Sequence, residues 1–209
     1  ILMKAVLVLS GSFNPPTNAH LALLTMARNA IEEKGFNVVA GKIVPTHGSY
    51  DKPGLANSKQ RFDMCKLSCE NTDWIIADPF ETQQPHWTDC LTSLRHQQSL
   101  YPDCKIFYIC GSDLVLRWNE PVWPENEVIE ILTKFGVLMF SRNIEIETIT
   151  EKVPVLKGRL QNVVFAPENP MNGVSSTLVR NLLKKGKHAT GFISPSVENY
   201  IKEQKLYVD

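Results

Sequence analysis

Lys4-Ala5-Val6-Leu7-Val8-Leu9-Ser10 runs directly into Gly11-Ser12-Phe13-Asn14-Pro15-Pro16-Thr17-Asn18-Ala19-His20. The first part is an unbroken apolar run with β-branched residues, the pattern of a strand buried on both faces rather than one. The second part turns the chain. Gly11 permits close backbone approach, Pro15 and Pro16 fix the path into a helix over residues 17–34, and Thr17 suits the N-cap. His20 then falls in the first turn and faces the same way as Thr17. The first backbone N–H groups of such a helix lack intrahelical partners and carry the positive end of the helix dipole, so a strand–turn–helix of this kind is suited to phosphate. An ordinary strand-to-helix turn with a capping Thr and an incidental His would account for any one of these residues. It does not account for the combination.

Outward from this unit the same alternation repeats. Residues 37–45, 74–77, 105–110, 135–141 and 162–166 read as strands, separated by helix-length or loop segments. IFYIC and VLMF are continuous rather than alternating in hydrophobicity, which places them in the centre of a parallel sheet covered on both sides. The expected fold is therefore α/β, a Rossmann-like, doubly wound, mainly parallel sheet with helices on both faces. Residues 175–209 read as two helices broken at 186–191, the second starting at Ser194-Pro195. Periodicity fades over 143–158, where a loop with one short helix is expected.

The length of 209 residues fits one domain spanning 1–209, with 43% hydrophobic residues to build its core. Twenty-two Lys and Arg balance twenty-two Asp and Glu, which argues against the broad basic surface of a protein that binds a nucleic acid polymer. An anion site must be local. The five cysteines, Cys65, Cys69, Cys90, Cys104 and Cys110, are odd in number and have no CxxC pair, so reduced thiols in an intracellular protein are expected. No apolar run approaches membrane-spanning length, and no membrane association is expected. The opening Ile1-Leu2-Met3 leaves the true start open. A cytoplasmic location is the expectation, with nuclear or organellar targeting open.

Two further motifs carry chemistry. Val174-Ser175-Ser176-Thr177-Leu178-Val179-Arg180 opens a late helix after NVVFA, with hydroxyls at its start and a cation one turn in. By itself SST before a helix is as often only a cap. The Arg fork nonetheless matches phosphate oxygens better than Lys does. Cys110-Gly111-Ser112-Asp113 follows IFYIC; Gly111 allows backbone approach and Asp113 suits a ribose, or alternatively a helix N-cap. In a doubly wound sheet the strand ends that carry Gly11 and Gly111 are expected at the topological switch point. GxxxxGK[ST] and GxGxxG are both absent, which disfavours a P-loop kinase and a dehydrogenase.

Together these stretches resemble the nucleotidyltransferase superfamily, whose GSFxPxTxxH and ISSTxxR signatures match Gly11 to His20 and Ser175 to Arg180. They would also suit pantetheine-phosphate adenylyltransferases and cytidylyltransferases. GSFNPPTNAH, Tyr50-Asp51-Lys52-Pro53-Gly54-Leu55, His86-Trp87, CGSDL, Val122-Trp123 and SSTLVR occur in the order and approximate spacing of the eukaryotic-type nicotinamide-mononucleotide adenylyltransferases, and the resemblance spans essentially the whole chain. It implies adenylyl transfer from ATP to nicotinamide or nicotinate mononucleotide, with Mg²⁺ held mainly by the substrate phosphates.

The resemblance assigns His20 and Arg180 to catalysis and Gly11, Phe13, Thr17, His20, Gly111, Asp113, Ser175, Ser176, Thr177 and Arg180 to ATP. Ser12 and Lys52 would hold the mononucleotide phosphate and Trp87 and Trp123 its pyridine ring; Arg142, at the end of the FGVLMFS strand, is a candidate phosphate contact or, nearly as often for such a residue, a solvated surface arginine. An indole face attracts a cationic pyridinium, although a Trp serves the core more often. Three residues after Trp87, where the family pattern has Thr, this chain has Cys90, so backbone groups would serve the ring substituent there. The segment between Arg95 and Lys105 lacks the long basic insertion of some relatives, so no nuclear signal is seen. A binding module that keeps the fold without turnover is the alternative of another class, disfavoured by the presence of both His20 and Arg180. Self-association being common, a homo-oligomer is expected.

Overall fold

A computed structural model of the chain describes residues 2–49, 54–141, 144–166 and 169–208. The strands and helices, in chain order, are β1 (Met3–Gly11), α1 (Asn18–Glu33), β2 (Phe36–Pro45), α2 (Ser58–Cys69), β3 (Ile75–Ala77), α3 (Phe80–Gln83), α4 (Cys90–Leu100), β4 (Cys104–Gly111), α5 (Ser112–Val115), α6 (Glu125–Lys134), β5 (Gly136–Phe140), α7 (Ile146–Lys152), β6 (Val163–Ala166), α8 (Ser176–Lys184) and α9 (Pro195–Glu203). The six strands form one sheet in the order β3-β2-β1-β4-β5-β6. β1 pairs parallel with β4, with Val8 opposite Tyr108, and β4–β5 and β5–β6 are parallel too. Strand succession reverses between β1 and β4, the switch point expected of a doubly wound sheet. The expected α/β, Rossmann-like class is the observed one.

The chain divides into two compact units. One comprises Ile1–Leu9, Leu24–Gly41 and Asp89–Asn169. Its strands are buried continuously: Ala5 to Leu9 in β1, Ile106 to Cys110 in β4 and all of β5 are core residues. Val128, Ile131 and Leu132 of α6 are buried with them. Phe107 of β4 packs edge-on against Phe36 of β2, ring centroids 5.1 Å apart. Gly136 begins β5 for want of room, since a Cβ there would lie 2.3 Å from the Phe107 ring.

The other unit comprises Ser10–Leu23, Lys42–Thr88 and Pro170–Asp209. Its core joins three helices: Met64 of α2, Val179 of α8, and Val197 and Ile201 of α9 are at most 2% exposed, with Ala189 and Ile193 between the last two helices. Asn57 starts α2 with a capping box, accepting from the Gln60 N–H at 2.9 Å while Gln60 Oε1 accepts from the Asn57 N–H at 3.2 Å. Ser194 caps α9 as expected, its Oγ accepting from Val197 N, with Pro195 in the first turn.

The sequence placed every strand, but its ends shift by a residue or so. Phe135 lies at the C-terminal cap of α6 and Asn162 in a 3₁₀ turn, because helix-end hydrogen bonds claim them before the ladder does. The fading stretch 143–158 holds α7 and a 3₁₀ turn at Pro154–Leu156. The alternative of Asp113 as an N-cap is corrected: Gly111 occupies the cap, and Asp113 lies within the first turn of α5. Among the described residues no helix is long and apolar enough to cross a membrane.

Gly136→Ala is expected to destabilise the protein by about 1–3 kcal/mol, because the buried Phe107 ring is wedged against Phe36 and overpacking has no outlet. Urea unfolding would show a lower midpoint at unchanged slope; an unchanged midpoint would mean that the ring yields freely.

Candidate active site

Ser12 to Thr17 form the loop between β1 and α1, Asn18 to His20 open the helix, and the side chains of this stretch differ in burial. Phe13, Asn14 and Thr17 are at most 2% exposed, whereas Gly11, Ser12, Asn18 and His20 are only partly covered. Phe13 takes φ 42°, a left-handed conformation that costs a bulky residue about 1–3 kcal/mol and persists only where neighbours over-determine it. Those neighbours are identifiable. The Phe13 ring meets the His20 imidazole edge-on at 5.0 Å. The Asn14 peptide oxygen accepts from Arg180 Nη1 at 2.8 Å, and the Pro15 oxygen accepts from Ser176 Oγ at 2.7 Å.

The first motif and the SST–Arg motif are therefore one assembly, although 161 to 166 residues separate their bonded partners. Ser175 caps α8, its Oγ accepting from Leu178 N at 3.1 Å, which sets the direction of the first turn. Arg180 Nη2 donates to Thr177 Oγ1 at 3.2 Å. The guanidinium is thus fixed along one side by Asn14 and along another by its own helix.

His20 is oriented with equal care. The Thr17 N–H donates to His20 Nδ1 at 2.9 Å, and Thr17 Oγ1 lies 2.9 Å from the same nitrogen. A backbone N–H can only donate, so Nδ1 must offer its lone pair, and the proton of the neutral ring sits on Nε2. Nε2–H is then the ring's one donor. The Asn18 N–H, by contrast, is taken by the Phe192 oxygen at 2.8 Å, and the His20 N–H by the Thr17 oxygen at 3.0 Å. The expectation of unpartnered amides at the start of α1 is corrected: the N–H groups of Thr17, Asn18 and His20 are bonded inside the protein.

Arg61, which no sequence motif marks, bonds to the start of this loop. It is fully buried, with Nη1 donating to Ser12 O at 2.9 Å, Nη2 to Thr46 O at 2.6 Å and Nε to Ala56 O at 2.9 Å. No carboxylate among the described residues pairs with it. Burial lowers its pKa from the ordinary arginine value, yet three carbonyl dipoles hold the cation in place. It ties the start of the loop to the end of β2 and to the α2 cap. The capping pattern Asn57 to Gln60 was the available signal for α2, but nothing local reveals that its Arg points inward.

The remaining sequence-predicted residues are placed as follows. Trp87 is 47% exposed, in the same unit as Gly11, Ser12, Phe13, Thr17, His20, Ser175, Ser176, Thr177 and Arg180. Cys90, Gly111, Asp113 and Trp123 belong to the other unit. There Cys90 opens α4 behind the Asp89 cap, Gly111 ends β4, and Asp113 is exposed. Trp123 is half-buried and tilts against the buried Trp118, centroids 6.0 Å apart. Lys52 and Arg142 lie outside the described residues. None of the five cysteines is disulfide-bonded, and burial pushes the Cys65, Cys69 and Cys110 thiols up from their ordinary value.

Arg61→Ala should lower stability by about 3–5 kcal/mol, since it strands three backbone carbonyls and opens a cavity. Denaturant titration would register this; a loss below about 1 kcal/mol would contradict the role given to Arg61.

Comparison with known proteins places this geometry. A family model described as cytidylyltransferase-like matches residues 8–182. A protein of Arabidopsis thaliana named nicotinamide/nicotinic acid mononucleotide adenylyltransferase is 30% identical, the match covering 98% of this chain and 90% of the relative. One of the same name from Oryza sativa subsp. japonica is 32% identical over 97% of this chain and 86% of its own length. The solved structure of Plasmodium falciparum nicotinic acid mononucleotide adenylyltransferase complexed with APC superposes with a TM-score of 0.72 at 21% identity, covering 98% of this chain and 97% of that one, a likeness of fold.

Proposed function

The chain belongs to the cytidylyltransferase-like family and, within it, to the nicotinamide/nicotinic acid mononucleotide adenylyltransferases, and from that membership we propose how its residues divide the work of adenylyl transfer. The reaction joins the 5′-phosphate of nicotinamide or nicotinate mononucleotide to the α-phosphorus of ATP, releasing pyrophosphate and giving NAD or its deamido form. The observation that carries the assignment of residues is the union of the two motifs through Arg180–Asn14 and Ser176–Pro15.

The attacking phosphate is already an anion. No group need remove its proton, so catalysis reduces to aligning two anions and stabilising charge on the transferring and leaving phosphoryl groups. His20 Nε2–H donates to the transferring phosphate, and the Arg180 fork takes oxygens of the triphosphate with Ser175, Ser176 and Thr177 beside it. Gly11, Phe13 and Thr17 shape the loop that receives ATP; Gly111 and Asp113 serve its ribose. Ser12, Lys52 and Arg142 hold the mononucleotide phosphate, Trp87 and Trp123 its ring, and Cys90 stands where the ring substituent is read.

Mg²⁺ would be carried mainly by the triphosphate oxygens and water. When bound, it neutralises charge on the phosphate oxygens. The protein's own part is to hold those oxygens with His20 and Arg180.

His20→Ala should lower kcat about 10²- to 10³-fold in coupled formation of NAD from ATP and the nicotinamide mononucleotide, with the unfolding midpoint little changed. Wild-type turnover would be compared for the nicotinamide and nicotinate substrates. Failure of wild-type protein to form either dinucleotide, or tight ATP binding without pyrophosphate release, would overturn the reading.

A further inference from the structure

Tyr207, near the C-terminus, reaches the heart of the loop. Its hydroxyl donates to Asn14 Oδ1 at 2.6 Å. The same oxygen accepts from the Ala56 N–H at 3.0 Å, and Asn14 Nδ2 donates to Gly54 O at 2.9 Å. A backbone N–H and a carbonyl on either side leave only one orientation for the amide. Asn14 is 1% exposed, and its peptide oxygen is the one that receives Arg180.

The tail is built to deliver this hydroxyl. After α9 the chain reverses: the Lys205 N–H donates to Lys202 O and the Leu206 N–H to Ile201 O. Lys205 and Tyr207 take φ 51° and 58°, left-handed values that non-glycine residues adopt at a cost. Leu206 and Tyr207 pack on the three-helix core. Such a backbone persists only where packing and hydrogen bonds repay it.

We infer that Tyr207 is a positioning residue for adenylyl transfer, acting through Asn14 to fix the loop and the Arg180 guanidinium that bonds to it. The inference rests on the function proposed above for Arg180 and His20. Burial raises the Tyr207 pKa, so the phenol stays protonated and keeps donating throughout the neutral range. Its hydroxyl closes a chain of contacts, Tyr207 to Asn14 to Arg180, that couples the segment after α9 to the phosphate-handling side chains.

Tyr207→Phe in the full chain keeps the ring and removes only the donor. The expected result is a fall in kcat of about 5- to 10-fold with KM for the mononucleotide within about twofold, at a temperature where both proteins are fully folded. In a second readout, hydrogen exchange of the protein without ligands should quicken about fivefold at the Ala56 amide, which shares the Asn14 oxygen, and stay unchanged in β4 and β5. Unchanged kcat, or a loss confined to temperatures where the variant unfolds, overturns the inference. Were wild-type protein inactive with both mononucleotides, the functional reading would fall, and exchange at Ala56 would still decide the latch: unaltered exchange refutes it.

Discussion

Asn14 has nowhere to go. Both lone pairs of its side-chain oxygen, one of its amide hydrogens and its peptide oxygen are engaged by Ala56, Tyr207, Gly54 and Arg180. Each of these bonds is modest on its own, worth about 1 kcal/mol net. Removing one partner costs more than that, because the residue is buried and a stranded polar group cannot turn to water. The loop between β1 and α1 is consequently held in a conformation that Phe13, with its positive φ, would not choose alone. Rigidity of this kind is what phosphoryl transfer asks for: the donors must already point to where charge develops.

From that fixed point the rest of the site follows outward. Arg61 braces Ser12 from beneath, using a buried cation where a water-filled gap would leave the loop loose. Ser176 and Arg180 brace Pro15 and Asn14 from α8. Thr17 turns the His20 ring so that its Nδ1 is an acceptor, which leaves Nε2 to donate. None of these residues needs to titrate during the reaction, in keeping with a nucleophile that arrives ionised. The Met64–Val179–Val197–Ile201 cluster supports α2, α8 and α9 together, so the bracing helices share one apolar base.

The sequence was informative where the physics is local. A buried parallel strand writes its burial into consecutive residues, as Ala5 to Leu9 and Gly136 to Phe140 do. A helix start writes its cap, which made Ser175 and Ser194 readable. His20 and Arg180 stood out because their neighbours repeat a recognisable family pattern. The bonds that hold Asn14 were not readable, since partners 40, 42 and 193 positions away obey no period. Arg61 was invisible for a related reason: an arginine on a helix reads as a solvated face until the fold shows three carbonyls around it. The expectation of unpartnered amides at the start of α1 failed because Phe192, far along the chain, takes one of them.

The central claim is that the two motifs act as one device on the same phosphates. A double-mutant cycle of His20→Ala and Arg180→Ala, read as the rate of pyrophosphate release from ATP in the presence of mononucleotide, tests it most directly. The account predicts strong non-additivity, the double variant being little slower than the worse single one. Two effects that simply multiply, or a wild-type protein that releases no pyrophosphate, would contradict it.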